Sequence, residues 1–110
     1  MTDTEAIKIV QFKGELEIGR KGEIHDALAA VHDARAILVD LAEVSYADSI
    51  ALTELLRFCV KAQREERPVA LLIQTPQFAR LIQYAGLASS FKVFAQNAEA
   101  LEYLQTSIRS

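Results

Sequence analysis

The chain has 110 residues, of which 51% are hydrophobic and 25% are charged, and its formal net charge is −3 at pH 7. This composition excludes a disordered, collagen-like or linker-like chain, and the length predicts one domain with its own core. Because no basic block stands out, we expect no direct nucleic-acid partner. No apolar run predicts a signal peptide or membrane insertion. Cys59 has no second cysteine to pair with, which favours a cytoplasmic protein.

The N-terminal part of the chain predicts two short strands followed by a helix. Residues 7–12 alternate apolar with polar side chains and include Val and Phe, as is typical of a strand. Gly14 then predicts a turn into a second strand at residues 15–18, so that the two strands form a hairpin. Apolar side chains at helical spacing within residues 24–31 predict the first helix.

The middle of the chain predicts a buried strand that leads to an amphipathic helix. Residues 36–41 form a nearly continuous apolar run, as expected of a strand that is buried on both faces. After a polar turn, Asp48 and Ser49 are residue types that favour a helix N-cap. Residues 52–60 then carry apolar side chains at helical spacing, and this second helix is expected to end before Pro68.

The remaining residues predict two further strand–helix pairs. Residues 69–73 form another buried strand, and the Thr-Pro pair at residues 75–76 predicts the start of a third helix that Gly86 ends. Residues 91–94 predict a short last strand, and Asn97 predicts the cap of a fourth helix. The chain shows no repeat, linker or low-complexity segment, so we expect a single domain over residues 1–110.

The order of these elements predicts an α/β fold. Helices between successive strands imply right-handed crossovers and parallel neighbours. Because the opening hairpin would be antiparallel, the predicted sheet is mixed but mostly parallel, and about four helices cover it.

Few residues could carry catalysis. His25 and His32 would lie about 10 Å apart along the first helix, too far to share a metal ion unaided. Cys59 is expected to face the core without a base beside it. The chain contains no glycine-rich phosphate loop, HExxH motif or GxSxG motif. We therefore expect no enzyme, no catalytic residue, no metal and no cofactor.

The start of the second helix is the most informative segment. In open α/β sheets, ligands and partners bind at the loops that follow the carboxyl ends of strands. The free N–H groups and positive dipole of a helix N-terminus favour an anion. The hydroxyl of Ser49 is thus either a helix cap or a phosphoacceptor, and the local pattern alone favours the cap. Ile50 falls opposite the apolar stripe, where an exposed apolar side chain could anchor a partner.

Four segments carry a family resemblance. They are Gly14-Glu15-Leu16-Glu17, Leu38-Val39-Asp40-Leu41, Val44-Ser45-Tyr46-Ala47-Asp48-Ser49, and a stretch from Pro76 that ends in Tyr84-Ala85-Gly86-Leu87. In this order they resemble the STAS domain family of bacterial anti-sigma factor antagonists. The resemblance covers nearly the whole chain, and it implies the same α/β fold.

The resemblance implies a protein-binding switch that is controlled by phosphorylation. By position, the phosphoacceptor is Ser49, directly after the motif residue Asp48. The implied partners are a serine kinase that is also the anti-sigma factor, and a cognate phosphatase. The unphosphorylated domain would bind the kinase, and the phosphorylated domain would not. We expect a cytoplasmic bacterial regulator of transcription that is a monomer or a weak dimer.

The resemblance also implies a partner-binding surface around the phosphoacceptor. We expect it to include Glu17, Asp48, Ser49, Ile50 and Ala51, together with Glu54, which falls on the same outward helix face as Ile50. Two departures from the family pattern fall within it. Ile50-Ala51 stands where Ser/Thr-Gly usually follows the acceptor, which predicts an exposed branched side chain and an added methyl group. Glu17 stands where the family usually has Asp.

Three other interpretations stay open. A cytoplasmic STAS subunit of a lipid-transporting ABC complex would use Ser49 in assembly, although a full fourth helix favours the switch. A receiver-type domain would use Asp40 as phosphoacceptor, but residues 11–14 lack the acidic cluster that binds its magnesium. A degenerate STAS scaffold would keep Ser49 only as a helix cap.

Overall fold

Within residues 6–31, 33–84 and 92–109, which the computed structural model describes, four strands alternate with four helices. They are β1 (Ile7–Leu16), α1 (Lys21–Ala29), β2 (Ala36–Ala47), α2 (Ser49–Arg64), β3 (Val69–Leu72), α3 (Pro76–Tyr84), β4 (Lys92–Phe94) and α4 (Asn97–Arg109). A 3-10 turn, Ile18–Arg20, precedes α1. The α/β fold and its four helices are confirmed. Two predicted boundaries lie outside the described residues: the end of α3 at Gly86 and the start of the last strand at Phe91.

The sheet has the order β1-β2-β3-β4, and every pairing among the described strands is parallel. The predicted opening hairpin is wrong for these residues, and with it the mixed sheet. β1 runs without a break from Ile7 to Leu16 and pairs with β2 along its whole length. The chain therefore crosses Gly14 without reversing its direction.

The pairing with β2 is irregular around Gly14, where the chain continues as a strand instead of turning. The register between β1 and β2 shifts on either side of this residue, and each shift leaves one extra residue on β2. Gly14 has a φ of 76°, which glycine adopts at little cost. Arg20 Nη1 donates to the carbonyl oxygens of Lys13, at 2.6 Å, and Glu15, at 2.9 Å. Glu23 holds the same guanidinium at 2.9 and 3.0 Å, and this hydrogen bonding raises the pKa of Arg20. A side chain from the next element thus satisfies the carbonyls on either side of Gly14.

β2 is longer than its apolar run predicts, and it holds the extra residue of each register shift. The sequence predicts a polar turn after residue 41, but β2 continues to Ala47, which pairs with Leu16. Leu41, Val44 and Ala47 stay buried along this extension. The longer strand pair carries the backbone directly to the first residue of α2.

The core has one layer on each face of the sheet. The larger layer packs the sheet against α1, α2 and α3, and its fully buried side chains include Leu16, Ile24, Leu55 and Phe78. The smaller layer packs Ile7, Leu38, Leu72 and their neighbours against Ala100 and Leu104 of α4. Burial on both faces explains the apolar runs of β2 and β3, since all four residues of β3 are buried.

Cys59 is buried in the larger layer, as the sequence predicts. Loss of hydration disfavours its thiolate and raises the pKa of the thiol to about 12. The side chain therefore packs as a small apolar group at neutral pH.

Candidate functional site

The end of β1 and the start of α2 meet at one point of the surface. The backbone N–H of Asp48 donates to the carbonyl oxygen of Leu16 at 3.0 Å. Glu17, which follows Leu16, is thereby held next to the first turn of α2, although the two segments are far apart in sequence. The structure brings together three predicted site residues: Glu17, Asp48 and Ser49.

Asp48, rather than Ser49, is the N-cap of α2. The backbone of Asp48 is extended, with φ −82° and ψ 175°, and its Oδ1 accepts a hydrogen bond from the N–H of Ala51 at 2.9 Å. Ser49 is the first helical residue, and its side chain is exposed. The interpretation of Ser49 as the helix cap is therefore wrong, because Asp48 already accepts the hydrogen bond from the N–H of Ala51.

Tyr46 adds an aromatic group that the sequence pattern did not indicate. It is 51% exposed, and it pairs in register with Glu15, which is also exposed. Tyr46 occupies an outward position of β2. The sequence does not indicate this, because the apolar run predicts that the strand ends at residue 41. We use the term Ser49 surface for Glu15, Glu17, Tyr46, Asp48 and Ser49.

The Ser49 surface is acidic, and it includes an exposed aromatic side chain on the strand end that precedes α2. Three of its five members are carboxylates, and Glu15, Glu17 and Ser49 are exposed while Asp48 is partly buried. Exposed aromatic residues are enriched in protein interfaces, where they supply apolar contact area. The arrangement suits a partner with a basic surface and a pocket for a tyrosine ring.

Three predicted site residues lie differently from expectation. Ile50 is only half-buried rather than exposed, and the methyl group of Ala51 is 1% exposed and belongs to the core. The added methyl therefore lies under the helix and does not block the approach of a partner. Glu54 has a side chain that is 11% exposed, and it faces Lys21 and Arg57. Neither Ala51 nor Glu54 belongs to the Ser49 surface.

The receiver-type interpretation gains no support. Asp40 lies within β2, where its carboxylate accepts hydrogen bonds from the N–H of Ala42 at 3.0 Å and from Gln11 Nε2 at 3.4 Å. In the part of the chain that the structure describes, no group of three or more His, Cys, Asp or Glu side chains could hold a metal ion. His25 is exposed on α1, and His32 lies outside the described residues.

A family model for the STAS domain matches residues 1–100. The chain belongs to the STAS domain family. The four segments that carry the resemblance thus identify the family correctly. None of the described helices combines the length and the apolar character of a membrane span.

Solved structures with the same fold come from proteins of different kinds. An anti-sigma factor antagonist from Mycobacterium paratuberculosis has a TM-score of 0.85 at 22% identity, covering 92% of this chain and 87% of that one. The Bacillus cell fate determinant SpoIIAA in its phosphorylated form has a TM-score of 0.68 at 18% identity, covering 94% of this chain and 95% of that one. A sulfate transporter family protein from Wolinella succinogenes has a TM-score of 0.79 at 14% identity, covering 96% of this chain and 89% of that one. No curated protein sequence matches the chain. At these identities the likeness shows the fold of the STAS domain.

The cap assignment predicts different effects for two adjacent substitutions. Asp48→Ala is expected to lower the free energy of unfolding by about 1 kcal/mol, because the N–H of Ala51 loses its acceptor. Ser49→Ala is expected to change it by less than about 0.5 kcal/mol, since Ser49 is not the cap. Urea unfolding of both variants measures the difference, with Asp48→Asn as a control that keeps a capping oxygen. A larger loss for Ser49→Ala than for Asp48→Ala would contradict the assignment.

Proposed function

We propose that this STAS domain is a phosphorylation-controlled protein-binding switch of the anti-sigma factor antagonist type. Its unphosphorylated form binds an anti-sigma factor serine kinase through the Ser49 surface, and phosphorylation of Ser49 by that kinase prevents binding. A cognate phosphatase restores the binding form. The domain itself is not an enzyme and needs no cofactor, and it acts in the bacterial cytoplasm as a monomer or weak dimer.

The observation that carries this proposal is the position of Ser49. A kinase needs an accessible hydroxyl, and Ser49 is exposed at the first position of α2. Because Asp48 supplies the cap, the hydroxyl of Ser49 can be modified without removing the hydrogen bond that starts the helix. The structural role and the proposed regulatory role thus fall on adjacent but separate residues.

The charge of the Ser49 surface explains how phosphate would block a partner. A phosphoserine adds about −1.5 to −2 charges at pH 7. The positive dipole end of α2 tolerates that charge within the domain. A partner that docks over Ser49 would have to bury the phosphate beside Asp48 and Glu17, and an imperfectly paired buried charge is costly. Phosphorylation would therefore act on docking and leave the fold intact.

STAS membership alone does not decide between a switch and a structural subunit. The solved structure from Wolinella succinogenes is described as a sulfate transporter family protein, and it shares the fold. In a cytoplasmic subunit of a lipid-transporting ABC complex, the contact at Ser49 would be permanent. The experiment therefore has to distinguish a regulated contact from a constitutive one.

Affinity capture from the native lysate tests the proposal. Wild type, Ser49→Ala and Ser49→Asp are used side by side as bait, and the captured proteins are identified by mass spectrometry. We expect wild type and Ser49→Ala to retain a serine kinase-like ATPase and Ser49→Asp to lose it. Asp is tolerated in the first turn of a helix, so loss of binding would not reflect misfolding.

Two outcomes would contradict the switch. Retention of a transporter ATPase by all three baits would support the constitutive subunit instead. Retention of the kinase-like ATPase by Ser49→Asp would show that negative charge at this position does not control docking. Circular dichroism of each bait confirms that it is folded before capture.

A further inference from the structure

A cleft of about 610 Å³ lies between α1 and α2, away from the Ser49 surface. Its floor is apolar and includes Leu28 of α1, Ile37 of β2 and Phe58 of α2. Ligand sites in proteins are mostly apolar clefts of about 300–1,000 Å³ with a few charged or polar groups that fix orientation. The cleft has the size and the lining of such a site.

The charge around the cleft is opposite in sign to the charge of the whole protein. Four Lys and Arg side chains and two Glu side chains line it, so it carries two excess positive charges when His25 is neutral. The chain as a whole has a net charge of −3. The cleft is thus a local positive region with an apolar floor on an acidic protein.

Of the two carboxylates that line the cleft, Glu65 pairs with Arg67 at 3.5 Å, whereas Glu54 does not engage its cations closely. Glu54 Oε1 is 3.9 Å from Lys21 Nζ and 3.8 Å from Arg57 Nη1, and Glu54 Oε2 is 3.9 Å from His25 Nδ1. These separations are longer than charge-assisted hydrogen bonds, which measure about 2.7–2.9 Å. The side chains of Lys21 and Arg57 are 55% and 73% exposed, so an incoming anion can reach them.

We propose that this cleft binds a small anionic amphiphile, with its carboxylate head near Arg57 and Lys61 and its hydrocarbon chain on the floor formed by Leu28, Ile37 and Phe58. Arg57 and Lys61 are one turn apart on α2, so their side chains share one face of the helix. Charge complementarity selects an anion over a cation. The apolar floor favours a hydrocarbon chain over a polar body. The proposal does not depend on phosphorylation of Ser49.

Decanoate, below its micelle-forming concentration, is the probe that tests the site. Amide spectra of the labelled full chain are recorded during titration, with decanol and decylammonium as probes of equal chain length. We expect shifts at residues 54–62 and in α1, and affinity for either control probe at least about fivefold weaker than for decanoate. Equal or tighter binding of decylammonium, or shifts confined to other parts of the domain, would overturn the proposal.

Substitutions of opposite sign sharpen the test. Lys61→Gln removes an exposed positive charge and is expected to weaken decanoate binding about threefold. Glu54→Gln removes the carboxylate nearest Arg57 and is expected to tighten decanoate binding about threefold. Lys8→Gln makes the same charge change as Lys61→Gln on β1, outside the cleft, and should leave the affinity unchanged. Weaker binding by Glu54→Gln, or an equal effect of the two Lys variants, would refute the charge argument.

A variant that fills the cleft tests its location. Ala29 is an exposed residue of α1 at the edge of the cleft, and Ala29→Phe is expected to abolish the decanoate-dependent shifts by occupying the floor. Because the site is on the surface, the unliganded spectrum away from α1 should change little. Undiminished decanoate binding by a folded Ala29→Phe variant would place the ligand elsewhere and overturn the proposal.

Discussion

Stoichiometric phosphorylation of Ser49 is expected to weaken binding of the captured partner at least about tenfold, while the domain keeps its fold. A tenfold loss corresponds to about 1.4 kcal/mol, and a charge buried imperfectly in an interface costs about 2–5 kcal/mol. The phosphate would lie next to the Asp48 carboxylate, so the docking surface becomes more negative where it is already acidic. Calorimetry with the phosphorylated and unmodified domain measures the affinity directly.

The structural part of this expectation is separately measurable. Amide shifts on phosphorylation should be confined to the first turn of α2 and to the neighbouring end of β1 around Glu17, because Asp48 keeps the helix cap. Shifts that extend to α4, on the other face of the sheet, would mean that the modification refolds the domain. In that case the loss of binding would not report on the Ser49 surface.

A matched control separates local charge from total charge. Gln77 is an exposed residue in the first turn of α3, so Gln77→Glu adds one negative charge at another helix N-terminus. We expect this variant to bind the partner as wild type does, whereas Ser49→Asp loses binding. If both variants lose affinity equally, long-range electrostatics rather than the Ser49 surface controls association.

Burial periodicity explains which parts of the fold could be predicted from sequence. β3 is buried on both faces, and its apolar run predicts it within one residue at its end. α2 keeps Leu55 and Cys59 on the core side, and its apolar spacing predicts the helix. These elements are predictable because the pattern of one local segment already records which of its faces is buried.

The continuation of β1 through Gly14 could not be predicted because it depends on a distant partner. Glycine is compatible with a hairpin turn, and equally with a strand position of positive φ. At Gly14 the strand conformation is stabilised by pairing with β2 and by Arg20, which donates to the carbonyls on either side. Neither contact has a signature in residues 7–18 alone.

The local geometry around Ser49 could not be predicted from sequence. The resemblance led to Ser49, whereas propensity could not separate Asp48 from Ser49, since both types cap helices well. Backbone angles decide that Asp48 is the cap. Glu54 was predicted on the partner surface because its helical position lies off the apolar stripe, but α1 packs alongside and places Lys21 against it. Contacts between helices are long-range information that a single helical pattern lacks.

Leu104→Ala is expected to lower the free energy of unfolding by about 2–5 kcal/mol, which is the range for truncating a fully buried leucine. Leu104 is 0% exposed and lies at the centre of the smaller core layer, against Leu38 and Leu72. Among the described helices, α4 alone covers this face of the sheet. Loss of its central side chain therefore leaves a cavity that no other described helix can fill.

Urea unfolding and hydrogen exchange check this prediction together. Glu102→Ala, at an exposed position of the same helix, is the control and is expected to change stability by less than about 0.5 kcal/mol. In Leu104→Ala, the amides of α4 should lose protection before those of α2, because only the smaller layer is damaged. The Ser49 surface lies at the start of α2, so the folded fraction of Leu104→Ala should still bind the partner with wild-type affinity. A stability loss no larger than that of Glu102→Ala would contradict the packing of α4. Weaker binding of the partner by the folded fraction would mean that the smaller core layer influences the Ser49 surface.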